Sequence, residues 1–342
     1  MKILITGGCG FVGSNLSVFL KNKIKNSKIY SLDNLSRKGS EVNLQRLKKN
    51  KIKNFKFDIA NYNKLKKIGK FNFIIDCCAE PAIEESIKNP DNVFNTNLLG
   101  TFNILKKCIT DRANIIFLST SRVYSIKLLN KIIKKKDIKN KIYSKIKIDE
   151  KYSTSSPKSL YGLSKLASEG LIKEFSYMHN IKYLINRFGV ISGPWQFGKQ
   201  DQGFVSLWVA KHIYKKKLSY IGYGGYGNQV RDIIHIDDVS KIILKQIKFF
   251  KNIYNQTFNI GGGEKNKISL KELTKLCENI TNNKIKFSKN KFTSIFDIPY
   301  YVTNNQKISK FYNWKPEKSI MDILLDIKNW ITINEKKLNK FF

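Results

Sequence analysis

A glycine-rich turn between a short apolar run and a helical pattern constrains the fold of this chain more than any other feature. The apolar run at residues 2–6 is too short for a helix and is followed by glycines, which indicates a buried parallel strand. Apolar residues then recur at helical spacing from Phe11 to Leu20. The glycines at positions 7, 10 and 13 therefore lie in a strand-to-helix turn. Without side chains there, backbone N–H groups can approach a pyrophosphate at the helix N-terminus.

The next predicted strand, residues 28–32, ends at an acid. Asp33 lies about 20 residues beyond the last glycine, where a dinucleotide-binding fold places the acid that accepts the adenosine ribose hydroxyls. Asp33 would repel a 2′-phosphate, which favours NAD over NADP, although Arg37 and Lys38 are close enough in sequence to soften that preference. An ordinary glycine turn followed by a strand-capping acid is the alternative interpretation.

Strand and helix patterns alternate through the first half of the chain, which predicts an α/β fold with a doubly wound parallel sheet. From Gly189 onward the chain is rich in Gly, Pro and aromatic residues, which is typical of loops. The predicted strands cover residues 2–6, 28–32, 54–57, 72–76, 114–119 and 182–187, and the predicted helices cover 11–22, 41–49, 91–109 and 160–178.

A Tyr-x-x-x-Lys pair lies on the last of these predicted helices. Because positions four apart share a helix face, the Lys165 ammonium can lie near the Tyr161 phenol and favour its ionised form. A phenol that normally titrates near ~10 could then act as a base near neutral pH. Such a spacing also arises by chance on amphipathic surface helices, so the pair gains its weight from the glycine turn that precedes it.

The formal net charge of +37 is of the kind that nucleic-acid-binding proteins carry. Lysine, however, is spread over nearly every predicted helix and loop, whereas a dedicated binder clusters base-reading Arg and aromatic residues on one element. We therefore expect no nucleic-acid partner, and a positive field that attracts an anionic substrate. The densest run, Lys127 to Lys147, is predicted to be a solvated loop or helix, with a nucleic-acid arm as the alternative.

The remaining composition argues against several classes of protein. Five cysteines show no paired metal-ligand spacing, and three scattered histidines support neither a zinc site nor a Ser-His-Asp hydrolase. We expect no metal and reduced cysteines. The sequence has no apolar stretch that could span a bilayer, and its N-terminus enters a strand directly instead of a signal sequence. These features predict a soluble cytoplasmic protein without a membrane partner.

The glycine turn followed by Tyr-x-x-x-Lys resembles the extended short-chain dehydrogenase/reductase family of nucleotide-sugar epimerases, dehydratases and reductases. The resemblance covers nearly the whole chain and implies a Rossmann domain that binds NAD at residues 1–188, with a return segment at about 232–260. A smaller C-terminal α/β substrate domain would comprise 189–231 and 261–342, with the substrate between the two domains. It also implies a homodimer or homotetramer, through the helix of Tyr161 and the one near 91–109.

The same resemblance assigns the site residues. Tyr161 would take the proton from a sugar hydroxyl as hydride passes to the nicotinamide, while Thr120 hydrogen-bonds the same oxygen and Lys165 holds the nicotinamide ribose. The alternative is that Thr120 merely ends a strand and Tyr161 packs against a neighbour. The implied cofactor contacts are Gly7, Gly10, Phe11, Val12, Gly13, Asp33, Asn34, Asp58, Ile59, Cys78, Ala79, Asn97 and Lys165.

The residues after Thr120 distinguish the branches of the family. Ser121 and Arg122 stand where the dehydratases carry acids and where the related decarboxylases carry a Glu. Without an acid, the site is better suited to oxidise a carbon, let the ketone reorient and reduce it again, which is epimerisation. An NAD(P)-dependent reductase or dehydrogenase stays open because it needs the same three residues. A non-catalytic NAD-sensing or nucleic-acid-binding protein is the alternative from another class.

Three further segments resemble CDP-tyvelose (CDP-paratose) 2-epimerases: residues 33–39 with Asn43-Leu44, residues 196–203 and residues 229–235. By this resemblance the ketone forms at C2, Gln196 and Gln202 line the sugar pocket, and Arg231 grips the pyrophosphate as a bidentate cation. A surface ion pair of Arg231 with Asp232 or Asp237 is the alternative. The chain departs from these enzymes in carrying Glu80 for Gln, Phe188 for His, and no Arg in the segment that ends at Asp297.

Overall fold

The computed structural model describes residues 1–132, 146–199 and 202–342. Most of the densest lysine run, including Lys134 to Lys136, lies outside the described residues. The chain forms two compact units, each of which contains half of the residues. The first unit comprises Met1–Val123, Ser159–Arg187 and Ser240–Phe258, and the second comprises Tyr124–Lys158, Phe188–Val239 and Asn259–Phe342.

The strands in chain order are β1 Lys2–Thr6, β2 Lys28–Leu32, β3 Lys53–Phe55, β4 Phe73–Asp76, β5 Asn114–Thr120, β6 Tyr183–Phe188, β7 Val190–Ser192, β8 Leu218–Ile221, β9 Val230–His235, β10 Gln256–Ile260, β11 Lys267–Ser269, β12 Phe287–Asn290 and β13 Tyr300–Tyr301. The helices are α1 Phe11–Lys23, α2 Ser40–Lys49, α3 Tyr62–Leu65, α4 Ile83–Lys88, α5 Pro90–Phe94, a π-helix Asn95–Leu99, α6 Gly100–Asp111, α7 Ile126–Leu129, α8 Leu160–His179, α9 Phe204–Ile213, α10 Ile236–Lys248, α11 Leu270–Thr281, α12 Gln306–Tyr312, α13 Ile320–Ile333 and α14 Glu335–Leu338.

A seven-stranded sheet forms the centre of the first unit, in the order β10-β6-β5-β4-β1-β2-β3. The pairs β1–β2, β1–β4, β2–β3 and β4–β5 are parallel, which confirms the predicted doubly wound α/β fold. Its strands are Ile-rich because helices cover both faces of such a sheet. Strand β1 has β2 on one side and β4 on the other, so the chain leaves the sheet in opposite directions there. Ligands bind at the carboxyl ends of strands at such a switch point.

The helix predicted at residues 91–109 is three consecutive elements, α5, the π-helix and α6. Pro90 begins α5, where its missing N–H costs no hydrogen bond. The π-helix then widens the turn that carries Asn97, and π-turns of this kind are frequent at functional sites. The core of the first unit packs α6 and α8 against the sheet through side chains such as Leu4, Ile74, Ile104, Ile115 and Ile172.

The second unit contains a small sheet in the order β11-β9-β13, with β7 also paired to β9, and a separate β8–β12 pair. Its core packs α9, α11 and α13 together through side chains such as Val205, Trp208, Leu273, Ile323 and Ile327.

The structure differs from the predicted domain boundaries in two places. The segment at Tyr124–Lys158 groups with the second unit, where Ile148 N donates to Val302 O at 2.8 Å and Asn259 N donates to Glu150 Oε1 at 2.7 Å. Strand β9 also belongs to the second unit, so the return to the first begins at Ser240 instead of residue 232. With these segments added, the second unit is not the smaller one.

Among the described residues, no helix is long and apolar enough to cross a membrane. The same part of the chain contains no group of three or more His, Cys, Asp or Glu side chains that could hold a metal ion.

Candidate active site

The turn between β1 and α1 is shaped by its glycines. Gly7 has a left-handed backbone with φ of +59°, and a Cβ there would lie 3.0 Å from the carbonyl oxygen of Cys77. Gly10 N donates to Gly7 O at 2.9 Å and caps α1. The first turn of α1 carries no acid, and its residues Phe11 and Val12 are partly exposed. The N-terminus of α1 is therefore suited to a phosphate.

Gly13 fixes how closely α1 approaches the turn. A Cβ at this position would lie 2.3 Å from Gly7 O, which is closer than any real Cβ contact. The helix can pack on the turn only because residue 13 has no side chain.

We expect Gly13→Ala to weaken NAD binding roughly tenfold or more, because the added methyl group displaces the turn. A tenfold loss of affinity corresponds to about 1.4 kcal/mol of binding free energy. Alanine is the better helix former, so helix propensity would act in the opposite direction. Isothermal titration with NAD measures the effect. Gly170→Ala in α8 is the matched control, since a Cβ there meets nothing within 4 Å. Equal affinity in both variants would contradict this account of the turn.

Backbone N–H groups hold Asp33 at the end of β2. Cys9 N donates to its Oδ2 at 2.9 Å, and Leu35 N donates to its Oδ1 at 2.8 Å. Burial raises the pKa of the Asp33 carboxyl, while these hydrogen bonds and the Arg37 charge oppose that rise. The carboxylate therefore lies directly beside the glycine turn.

Other residues predicted to contact the cofactor lie in the loops after β2, β3 and β4. Asn34 Nδ2 donates to Asp58 Oδ2 at 2.8 Å. The side chain of Ile59 is buried in the core, and Cys78 N donates to Thr6 Oγ1 at 3.2 Å. Burial, with a contribution from the Asp76 charge, raises the pKa of the Cys78 thiol well above its ordinary value, so this thiol stays protonated. Ala79 follows it in the partly exposed loop after β4.

Asn97, in the π-helix, ties the loop after β4 to α8. Its Oδ1 accepts from Glu80 N at 2.8 Å, and its Nδ2 donates to Glu80 O at 3.1 Å and to Ser164 Oγ at 3.0 Å. The protein itself therefore uses both ends of this amide. The cofactor contact predicted for Asn97 stays a prediction.

The Thr120 hydroxyl lies close enough to the Tyr161 phenol to lower its pKa. Thr120 is the last residue of β5, and its Oγ1 also accepts from Arg122 N at 3.2 Å. Tyr161 lies in the first turn of α8, whose N-cap Ser159 accepts from Gly162 N at 3.2 Å. The fold thus brings together two residues that lie 41 positions apart in the sequence.

Burial raises the pKa of the Tyr161 phenol, opposite to the direction predicted from the Lys165 spacing. The nearby Thr120 hydroxyl and the charges of Arg122 and Arg37 lower this pKa, and Glu80 raises it further. Desolvation outweighs these charges, because removing a phenolate from water is costly. The cations that lower the pKa of the phenol are therefore Arg122 and Arg37. The Tyr-x-x-x-Lys spacing indicates neither of them.

Lys165 is 1% exposed, and its ammonium has no hydrogen-bond partner within the described part of the chain. Its Nζ lies 3.8 Å from the centroid of the Phe117 ring. Burial lowers the pKa of the Lys165 ammonium, and the Asp76 charge opposes that shift. A buried donor without an acceptor is costly. The hydroxyls of a nicotinamide ribose would supply acceptors, so this lysine and the glycine cradle both fit NAD.

The residues predicted to bind substrate belong to the second unit. Gln196 Oε1 accepts from Ser192 Oγ at 2.8 Å, and its Nε2 donates to Ile191 O at 3.2 Å, so the protein uses both ends of the amide. Gln202 lies in the same loop, where its backbone exchanges hydrogen bonds with Lys199; residues 200 and 201 are outside the described residues.

Arg231 forms an ion pair, but with neither of the acids suggested from sequence. Its Nη2 lies 3.1 Å from Asp297 Oδ1 and donates to Ile298 O at 2.7 Å, and its Nη1 donates to Val230 O at 2.8 Å. Asp297 is 66 residues away, so its proximity could not be inferred from the local sequence.

A family model described as the NAD dependent epimerase/dehydratase family matches residues 3–261 of this chain. The chain belongs to this family. It is therefore an NAD-dependent enzyme of the extended short-chain dehydrogenase/reductase type, as the resemblance implied.

Individual members of this family match the present chain over nearly its whole length. It is 31% identical to the CDP-paratose 2-epimerase of Salmonella typhi, with 96% of this chain and 99% of the relative covered. It is 27% identical to the UDP-glucuronate 4-epimerase of Thermodesulfobacterium geofontis, with coverages of 96% and 95%. The structure of the UDP-glucuronic acid 4-epimerase from Bacillus cereus, solved with UDP-glucuronic acid and NAD, shares the fold with a TM-score of 0.81 at 23% identity, covering 97% of this chain and 99% of that one.

The fold also brings together charged residues that the sequence motifs did not place in the site. Asp76, at the end of β4, accepts from Thr6 Oγ1 at 2.6 Å and from Thr101 Oγ1 at 3.0 Å. Arg37 pairs with Glu80 at 3.8 Å. An acid at the end of an otherwise apolar strand was a usable signal for Asp76, whereas the pairing of Arg37 required the fold.

Proposed function

We propose that this enzyme is a nucleotide-sugar epimerase that inverts one sugar carbon through a transient ketone. One observation carries the proposal: Thr120 lies at the carboxyl end of β5, close to the Tyr161 phenol, and the next two residues, Ser121 and Arg122, are not acids. Elimination of water needs a further acid or base near the reacting carbon. Oxidation followed by re-reduction needs only the groups present here.

Tyr161 carries the proton in this scheme. In its ionised form it accepts the proton of the sugar hydroxyl during oxidation, and the phenol so formed returns a proton to the same oxygen during reduction. Thr120 donates a hydrogen bond to that oxygen and keeps it within reach of the phenol. Lys165 orients the nicotinamide ribose. NAD held beside these residues would supply reversible hydride transfer, with no net change in the cofactor.

CDP-paratose, with inversion at C2, is the substrate we favour, because a CDP-paratose 2-epimerase is 31% identical to this chain and three segments resemble such enzymes. The roles of Gln196, Gln202 and Arg231 in holding the sugar and pyrophosphate are part of this proposal. A guanidinium has five N–H donors, so the hydrogen bonds of Arg231 to Asp297 and two carbonyls leave donors for a phosphate oxygen.

Incubation with a panel of nucleotide sugars tests the proposal. The protein with NAD is given CDP-paratose and, separately, UDP-, GDP- and dTDP-sugars, and the sugar is followed by NMR while absorbance reports reduced nicotinamide. We expect inversion of one centre in CDP-paratose without net NADH. Net NADH production would make the chain a dehydrogenase. Salt-sensitive binding to nucleic acid without any sugar turnover would favour the non-catalytic alternative.

We further propose that the enzyme is a homodimer or homotetramer assembled through α8. Leu163 and Tyr177 are 51% and 91% exposed on this helix, and a spacing of two heptads places them close to one face. Phe94 in α5 and Ile109 in α6 are also exposed. A second copy of the chain would cover these apolar side chains.

The expected result for Leu163→Lys combined with Tyr177→Lys is a monomer by size-exclusion chromatography with light scattering, because each charge would have to be buried in the contact. Phe249→Lys is the control, since Phe249 is 49% exposed and lies outside α5, α6 and α8. A wild-type monomer would contradict the proposal.

A cytoplasmic location is proposed because all five cysteines are free. Unpaired cysteines are typical of proteins in a reducing compartment.

A further inference from the structure

An ion pair joins two loops at the carboxyl ends of the central strands. Arg37 Nη2 lies 3.8 Å from Glu80 Oε1, and the two side chains are 36% and 17% exposed. Arg37 follows Asp33 in the loop after β2, whereas Glu80 lies in the loop after β4. Because β2 and β4 flank β1 in the sheet, the pair bridges the region of the glycine turn.

Glu80 is held in a fixed place relative to α8. Its backbone N–H and carbonyl both bond the Asn97 amide, which also donates to Ser164 Oγ in α8. Glu80 Oε1 accepts from Ala82 N at 3.2 Å. Ser164 Oγ in turn donates to the backbone carbonyl of Tyr161 at 2.9 Å. These contacts therefore fix Glu80 and connect it to the residue that carries the phenol.

We propose that Arg37 and Glu80 are a positioning pair for Tyr161, in which Arg37 neutralises the Glu80 carboxylate and thereby couples the cofactor loop to the proton carrier. This inference rests on the proposed role of Tyr161 in epimerisation. Neither side chain needs to touch the substrate, because both act through the charge they place near Tyr161.

The charged groups around Tyr161 come from several elements. Arg122 after β5 and Arg37 after β2 lower the pKa of the phenol, and Glu80 after β4 raises it. On α8 itself, Lys165 faces Asp76, and Glu169 follows one turn later. Removing Arg37 leaves the Glu80 charge uncompensated, which raises the pKa of Tyr161. Removing the Glu80 charge has the opposite effect.

Through this pair, the ionisation of Tyr161 would also depend on whether NAD or NADP is bound. A 2′-phosphate would meet the Asp33 carboxylate and would draw Arg37 toward itself, since arginine binds phosphate strongly. Glu80 would then lose its partner. We therefore expect the ionisation midpoint of Tyr161 to lie higher with NADP than with NAD, and we expect this difference to disappear in Glu80→Gln.

NMR of the full-length, NAD-bound protein with isotope-labelled tyrosine rings tests the pair. The Tyr161 signal is the one absent from Tyr161→Phe. We expect the ionisation midpoint to rise by roughly half a pH unit or more in Arg37→Gln, to fall by a similar amount in Glu80→Gln, and to return near the wild-type value in the double variant. Shifts of the two single variants in the same direction, or no shift, would overturn the proposal.

Two further variants distinguish the effect of the Arg37–Glu80 pair on Tyr161 from the effect of any change in charge or side chain. Glu84→Gln removes an acid of the same unit from an exposed pair with Lys88 at 3.6 Å, and it should leave the midpoint unchanged. Arg37→Lys keeps the positive charge and should also leave it near the wild-type value, so a shift in this variant as large as that of Arg37→Gln would contradict the charge-based account. Because this measurement needs no substrate turnover, failure of the proposed epimerisation and failure of the ion-pair inference are distinguishable.

Discussion

Tyr161→Phe is expected to lower the turnover number by at least about a hundredfold while NAD binding is retained, because general acid–base catalysis contributes factors of this size or more. The substitution removes only the phenolic oxygen, which lies near the Thr120 hydroxyl. The ring and its packing stay. Without that oxygen, the sugar hydroxyl has no proton acceptor during oxidation, and the ketone has no proton donor during reduction.

The measurement compares turnover with the substrate that the nucleotide-sugar panel identifies, together with NAD affinity by titration. Tyr177→Phe is the matched control, since Tyr177 is highly exposed on the same helix and should keep full activity. Activity of Tyr161→Phe within a few-fold of wild type would exclude this tyrosine as the proton carrier.

Glu169→Gln is expected to lower the free energy of unfolding by about 3–5 kcal/mol, the usual cost of breaking a buried ion pair. Arg187 Nε donates to both carboxylate oxygens of Glu169, at 3.0 Å and 3.1 Å, and its Nη2 lies 2.6 Å from Oε2. Ser119 Oγ also donates to the carboxylate at 2.6 Å. The pair is buried. Neutralising Glu169 therefore removes the carboxylate that faces the Arg187 charge in the interior.

This pair matters for the site because it connects α8 to the strands beside it. Glu169 lies one turn after Lys165, and Ser119 immediately precedes Thr120. Urea unfolding followed by circular dichroism measures the effect. Glu84→Gln, on an exposed ion pair, is the control and should change stability by less than about 1 kcal/mol. The double variant Glu169→Leu, Arg187→Leu should recover much of the loss, and a Glu169→Gln loss no larger than that of the control would contradict this account.

The sequence was sufficient for the parts of the fold that local patterns determine. Strands β1 and β2, the glycine turn and Asp33 lie where predicted, because short apolar runs and glycines constrain the backbone over a few residues. Thr120 ends β5 and Tyr161 lies in the first turn of α8, close to where the predicted strand and helix place them. These features need no knowledge of distant contacts.

The remaining features depend on contacts between distant residues. The membership of Tyr124–Lys158 in the second unit follows from contacts such as that of Ile148 with Val302, which no local pattern indicates. The pKa of Tyr161 was predicted in the wrong direction because helix spacing carries no information on burial. The pairs of Arg37 with Glu80 and of Arg231 with Asp297 are likewise formed by tertiary packing.

The route of the hydride tests the central claim most directly. The purified enzyme with NAD is incubated in deuterated water with the nucleotide sugar that it inverts, and the product is analysed by NMR while nicotinamide absorbance is recorded. If Tyr161 and NAD act as proposed, the inverted carbon keeps its original hydrogen, carries no solvent deuterium, and no NADH accumulates. Solvent deuterium at that carbon, or NADH formed in proportion to product, would contradict epimerisation by oxidation and re-reduction at one site.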